Sequence, residues 1–147
     1  MSRVTIVMLM LFFVLNTYAA GDMTAQQAVE IRVDLGDKKN RLRFFPERFE
    51  LETGKLYKLV IKNPSLQKHY FSSAGLASAV FTRKVQVVDR RNQTQVEVKG
   101  TIKEIEVYPG NTAEWWFVPV KTLSNSKLYC TIKGHSEAGM SGSISIR

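Results

Sequence analysis

The sequence predicts an all-β sandwich of seven to eight short strands. Three observations predict it. Apolar and polar residues alternate through runs of roughly four to eight residues, the period of a half-buried strand. Turn residues punctuate those runs: Gly36, Asn40, Gly54, Asn63-Pro64, Pro109-Gly110. Only one stretch, 73–81, is alanine-rich enough to suggest a helix, and it is short.

After a polar lead-in over 23–27, the run 28–35 alternates and places Val29, Ile31, Val33 and Leu35 on one face. The aromatic-rich run 41–51 contains Pro46, which has no N–H for a ladder and demotes the run to an edge or bent strand. Beyond Thr53-Gly54, the run 56–63 sets Tyr57, Leu59 and Ile61 on a common face. Asn63-Pro64 then opens an irregular loop carrying His69. The runs 84–89 and 94–99 form a hairpin around residues 90–93, followed by a strand over 102–107. In the strand over 112–118, Ala113, Trp115 and Phe117 face the core and Trp116 faces away, so both tryptophans read as packing residues. A strand over 127–132 ends near Cys130, and 143–146 forms the last one. Each strand buries one face, and the two sets of buried faces make the core of a sandwich.

The 147 residues suggest one domain preceded by a leader. Arg3 precedes an apolar run over 4–15 broken only by Thr5, and 16–20 turns small and polar. This is the layout of a secretory signal peptide over 1–20, with the mature domain over 21–147. A retained N-terminal anchor is the alternative; the run is short for a membrane span, which needs about 20 residues. No cysteine follows the run, which argues against a lipid anchor. Export places the domain in a periplasmic or extracellular space. The net charge of +8 falls by one with the leader. In an exported domain, that balance points to acidic protein partners or anionic surfaces rather than nucleic acid, or simply to solubility. The chain has one cysteine, Cys130, which cannot form an internal disulfide; a metal bond, a reactive thiol or an intermolecular bridge would use it, and a plain buried cysteine is the alternative.

The segment from Tyr129 to Met140 places Cys130, His135 and Met140 at C-x4-H-x4-M spacing. A thiolate, an imidazole and a thioether are soft or borderline donors and suit copper better than a hard cation. Gly134 and Gly139 each precede a ligand and allow backbone angles that other residues resist. The only other histidine is His69, about 60 residues upstream. Two histidines, one cysteine and a weak axial methionine are the donor set of a blue-copper electron-transfer site.

These residues resemble the cupredoxins, the family of plastocyanin, azurin and rusticyanin, over nearly all of the mature chain. The run from Phe45-Pro46 through Phe49, Leu51 and Gly54, and then 59–63, resembles the family's approach to its first histidine ligand. The loop from Cys130 to Met140 resembles the C-terminal ligand loop, with the longer cysteine-to-histidine spacing of rusticyanin-like members. The resemblance implies a Greek-key β-sandwich holding one copper ion. It makes His69 and His135 the imidazole ligands, Cys130 the thiolate and Met140 the axial thioether. Asn63, Tyr70 and Thr131 would lie just behind them. Many members carry Asn after the first histidine, to tie the ligand loops through the Ser or Thr after the cysteine. Thr131 fits that pattern and Tyr70 departs from it.

The inventory excludes several classes. With both histidines used, no second copper site of the kind found in nitrite- or oxygen-reducing enzymes can be built. A binuclear thiolate-bridged centre needs two cysteines, and structural zinc usually takes four Cys or His. No nucleophile triad remains. The chain is therefore expected to be no enzyme by itself. It would be a monomer that shuttles one electron between redox proteins, such as a cytochrome or a copper oxidoreductase, without stable membrane insertion. A copper carrier or storage protein is the rival reading.

Overall fold

A computed structural model describes residues 25–89 and 91–147; the leader expected over 1–20 lies outside them. Eleven strands and one helix follow one another: β1 Val29–Leu35, β2 Phe44–Phe45, β3 Arg48–Leu51, β4 Tyr57–Lys62, β5 His69–Ser72, α1 Ala74–Ala79, β6 Val80–Val88, β7 Thr94–Val98, β8 Glu104–Val107, β9 Thr112–Pro119, β10 Leu123–Tyr129 and β11 Ser141–Ile146. They form a six-stranded sheet in the order β2-β1-β4-β9-β6-β7 and a five-stranded sheet in the order β3-β11-β10-β5-β8. Most pairs are antiparallel, while β1 runs parallel to β4 and β3 parallel to β11.

The strands exceed the expected seven to eight because two features are invisible in the local pattern. The run 41–51 is two strands, one at an edge of each sheet. The chain crosses between the sheets at Pro46, whose bond to Phe45 is cis. The segment carrying His69 is also a strand and not a loop, because β8 pairs with it: His69 opposes Val107 and Ser72 opposes Glu104. The expected hairpin forms between β6 and β7. The short helix forms as α1, capped by the Ser73 hydroxyl, which accepts from the amide of Leu76. Its Leu76, Ala77 and Ala79 are buried.

The core lies between the sheets. Ala113, Trp115 and Phe117 of β9 and Tyr57, Leu59 and Ile61 of β4 are buried, as the alternation predicts. They meet Phe44, Phe49, Phe71, Leu128 and Ile144 from the other elements. Val33 and Leu35 join them, whereas Val29 at the start of β1 is exposed. The outer face of the six-stranded sheet carries a buried polar group. Glu114 accepts from Gln86 at 2.6 Å and pairs with Lys58 at 2.7 Å, so the carboxylate is fully engaged.

Gly142 marks the tightest approach between β11 and the corner after Pro46. The amide of Ser143 donates to the Glu47 carbonyl at 2.8 Å, and a Cβ added at Gly142 would overlap that same carbonyl and stand 3.2 Å from the Glu47 Cα. Backbone on both sides cannot move aside cheaply. Gly142→Ala is expected to destabilise the fold by about 1–3 kcal/mol, the usual range for overpacking. Urea unfolding with an unchanged m-value checks it.

Candidate metal centre

The five-stranded sheet brings the donors together. β5 and β10 are antiparallel neighbours joined where Tyr129 opposes Ser72. This register sets the first residue of β5, His69, near the residue just past β10, Cys130. The loop after Cys130 folds back on itself. The His135 amide donates to the Ile132 carbonyl at 3.0 Å, the Met140 amide to the His135 carbonyl at 2.9 Å, and the Cys130 amide to the Met140 carbonyl at 3.2 Å. Gly134 and Gly139 take φ of 85° and 108°, the positive region expected from their places before two ligands.

Three donors converge. His69 Nδ1 lies 3.2 Å from His135 Nδ1; Cys130 Sγ lies 3.5 Å from His135 Nδ1 and 4.0 Å from His69 Nδ1. Ligand atoms bound at about 2.0–2.3 Å to one ion cannot stand more than about 4.6 Å apart, and all three separations satisfy that limit. His69, Cys130 and His135 are all buried, and the thiol is free. Met140 has no exposed surface, and its backbone bonds tie it to both Cys130 and His135.

Burial of such groups is costly unless something binds them. His69 Nε2 is buried with no hydrogen-bond partner. It faces Gly36, where an added Cβ would come within 3.3 Å of it. Burial, and after it the neighbouring His135, lowers the His69 pKa from 6.5 to about 4. His69 is thus held neutral, the form that binds metal.

The residues behind the donors behave differently from one another. Asn63 is fully buried and fully bonded: its Nδ2 donates to the carbonyls of Gln67 and Val107, both at 2.7 Å, and its Oδ1 accepts from the Ser65 amide at 3.0 Å and hydroxyl at 2.7 Å. It pins the loop before His69 to the end of β8. Tyr70 reaches the site only through its backbone, whose N–H donates to Cys130 Sγ at 3.4 Å. Its phenol turns to Glu106, and that hydrogen bond raises the phenol pKa. Thr131 donates its hydroxyl to Glu104 Oε2 at 3.1 Å. Glu104 is a residue that reading the sequence missed. The alternation in β8 marks it only as outward-facing, and no local signal places Thr131 opposite it.

No protein-family model and no curated protein sequence matches the chain. Solved structures do. The chain is similar to the dithionite-reduced auracyanin of Roseiflexus castenholzii, with a TM-score of 0.51 at 15% identity over 82% of this chain and 99% of that one. It is similar to auracyanin A of Chloroflexus aurantiacus, a blue copper protein, with a TM-score of 0.51 at 14% identity over 82% and 100%. It also matches the McoA multicopper oxidase of Aquifex aeolicus, with a TM-score of 0.58 at 17% identity, over 82% of this chain but 29% of the oxidase. The chain has the cupredoxin fold. The converging donors, two imidazoles and a thiolate, fit one copper ion.

Acid should loosen the copper-free protein. His69 has a folded pKa of about 4, below the 6.5 of an unperturbed histidine. Between these values, an unfolded chain takes up a proton at His69 that the folded chain refuses, so stability is full above about 6.5 and is lost as pH falls toward 4. The thermal midpoint of copper-free protein should fall across that window, and His69→Asn should flatten the slope.

Proposed function

We propose that the chain is an exported mononuclear type 1 copper protein that shuttles single electrons between redox partners. The observation that carries this reading is the uneven burial of one donor set. Cys130 and His69 are 1% and 0% exposed, while His135 is 9% exposed and closest to solvent. Copper, when bound, supplies the Cu(I)/Cu(II) couple. His69, Cys130 and His135 would hold it, with the Met140 thioether as a further, weaker donor that would tune its potential. The hydrogen-bonded ligand loop keeps these donors in place, so little rearrangement opposes a change of oxidation state. His135 gives the shortest route to a docked partner.

A copper carrier or storage role uses overlapping donors. Such a role favours open, exchangeable coordination, whereas here the thiol is buried and the loop is bonded at both ends. The histidine count leaves nothing for a second copper site, which supports an electron carrier rather than an enzyme. The similar auracyanins match over their whole length, and the oxidases only over one part. Among the described residues, no helix is long and apolar enough to cross a membrane.

Copper-loaded, oxidised protein should be intensely coloured by thiolate-to-Cu(II) charge transfer, with one copper per chain, and should bleach on reduction. Cys130→Ala should abolish the colour; Met140→Leu should keep it and raise the potential. A colourless protein with stoichiometric Cu(II) would instead identify a carrier.

The partner should be acidic. On the loops at the copper end, Asp37 is paired with Arg41, while Lys38, Lys39 and Lys133 have no ion-pair partner among the described residues. Their attraction is long-ranged and screened, with a Debye length of about 10 Å at 0.1 M salt and about 3 Å at 1 M. The bimolecular electron-transfer rate should fall with salt for an acidic cytochrome and rise for a basic one. A flat profile for both would place the positive charge away from the docking face.

A further inference from the structure

We propose that Glu104 is the positioning residue of the ligand loop: one carboxylate oxygen, Oε2, accepts hydrogen bonds from Ser72 on the His69 strand and from Thr131 beside Cys130, both at 3.1 Å. The sheet itself sets this up. Glu104 opposes Ser72 in the β5–β8 register, and Tyr129 opposes the same Ser72 in the β5–β10 register. The side chain therefore rises beside the point where the chain leaves β10 for Cys130. An ionised carboxylate only accepts, so it orients both hydroxyls as donors toward one atom.

The rest of the neighbourhood leaves this task to Glu104. Tyr70, the residue after His69, sends its phenol to Glu106, which also pairs with Lys68 at 2.7 Å. Among the described residues, its side chain makes no hydrogen bond to the cysteine loop. Glu106 lies two residues along β8 from Glu104, so the outward positions of one strand hold the two flanks of the site. Glu104 itself has no ion pair among the described residues, and its bonds go to the two hydroxyls. A strand that carries no ligand thus fixes the spacing between His69 and Cys130.

The assignment rests on the copper reading only for its optical test. In the copper-free full chain, amide exchange reports the clamp directly. The amides to follow are those of Tyr70, Cys130 and His135, which donate to Cys130 Sγ, the Met140 carbonyl and the Ile132 carbonyl. Glu104→Ala and Thr131→Val should each speed their exchange, by about tenfold for Glu104→Ala, and the double variant should exchange no faster than Glu104→Ala alone. Glu104→Gln keeps an accepting oxygen and should stay within about threefold of the parent. In the copper-loaded protein, Glu104→Ala should change the ratio of the charge-transfer bands and speed copper loss to a chelator about tenfold; Glu104→Gln should restore both. Exchange within about twofold of the parent in Glu104→Ala would overturn the proposal. So would effects of Glu104→Ala and Thr131→Val that multiply in the double variant. A parent protein that shows no charge-transfer band would defeat the type 1 reading and leave the exchange result to decide the clamp.

Discussion

The donor atoms of two imidazoles and a thiol are held within 4.0 Å of one another in a largely buried site, and the rest of the structure serves that constraint. None of the three could be placed there by its own preferences. Nitrogens 3.2 Å apart repel when both rings present lone pairs there, and burial keeps the second, charging proton off His69. The loops must therefore be held by bonds that do not involve the donors' side chains. Those bonds are present: Asn63 locks the approach to His69, the Cys130–Met140 backbone pair closes the ligand loop, and Glu104 ties the flank.

The sandwich supplies the stiffness. β5 is the element on which the site depends most, since it carries His69 and is gripped on one side by β8 and on the other by β10. Phe71, in the same strand, points into the core and meets Phe44 and Phe49 edge-on. One four-residue strand thus couples the aromatic core to the metal donors. A ligand frame anchored in packed aromatics moves little.

The two faces of the six-stranded sheet are used differently. Its inner face makes core with Trp115 and Phe117, whereas its outer face buries the Lys58–Glu114–Gln86 group beside the half-buried Trp116. Lys58 and Lys84 lie over the Trp116 ring at 5.5 and 5.6 Å. This packing is consistent with the reading of both tryptophans as structural. On the loops that surround the site, Lys38, Lys39 and Lys133 have no ion-pair partner among the described residues.

The alternation of Tyr57, Leu59 and Ile61 and of Ala113, Trp115 and Phe117 was enough to establish the sandwich, because a period of two leaves a strand only one face to bury. The convergence of His69, Cys130 and His135 was legible for a chemical reason: a chain with one cysteine and two histidines has few ways to build a soft metal site, and the two glycines before His135 and Met140 announced their turns. Three things were decided only by tertiary structure. The crossing of the 41–51 run between sheets depends on which edge each half finds. The extension of the His69 segment as a strand depends on pairing with β8, more than thirty residues away. The tether at Thr131 comes from Glu104, reached across a neighbouring strand, where the local sequence shows only an outward-facing acid in an alternating run. Each of these rests on pairing between distant segments, and strand pairing carries no local signature of its partner.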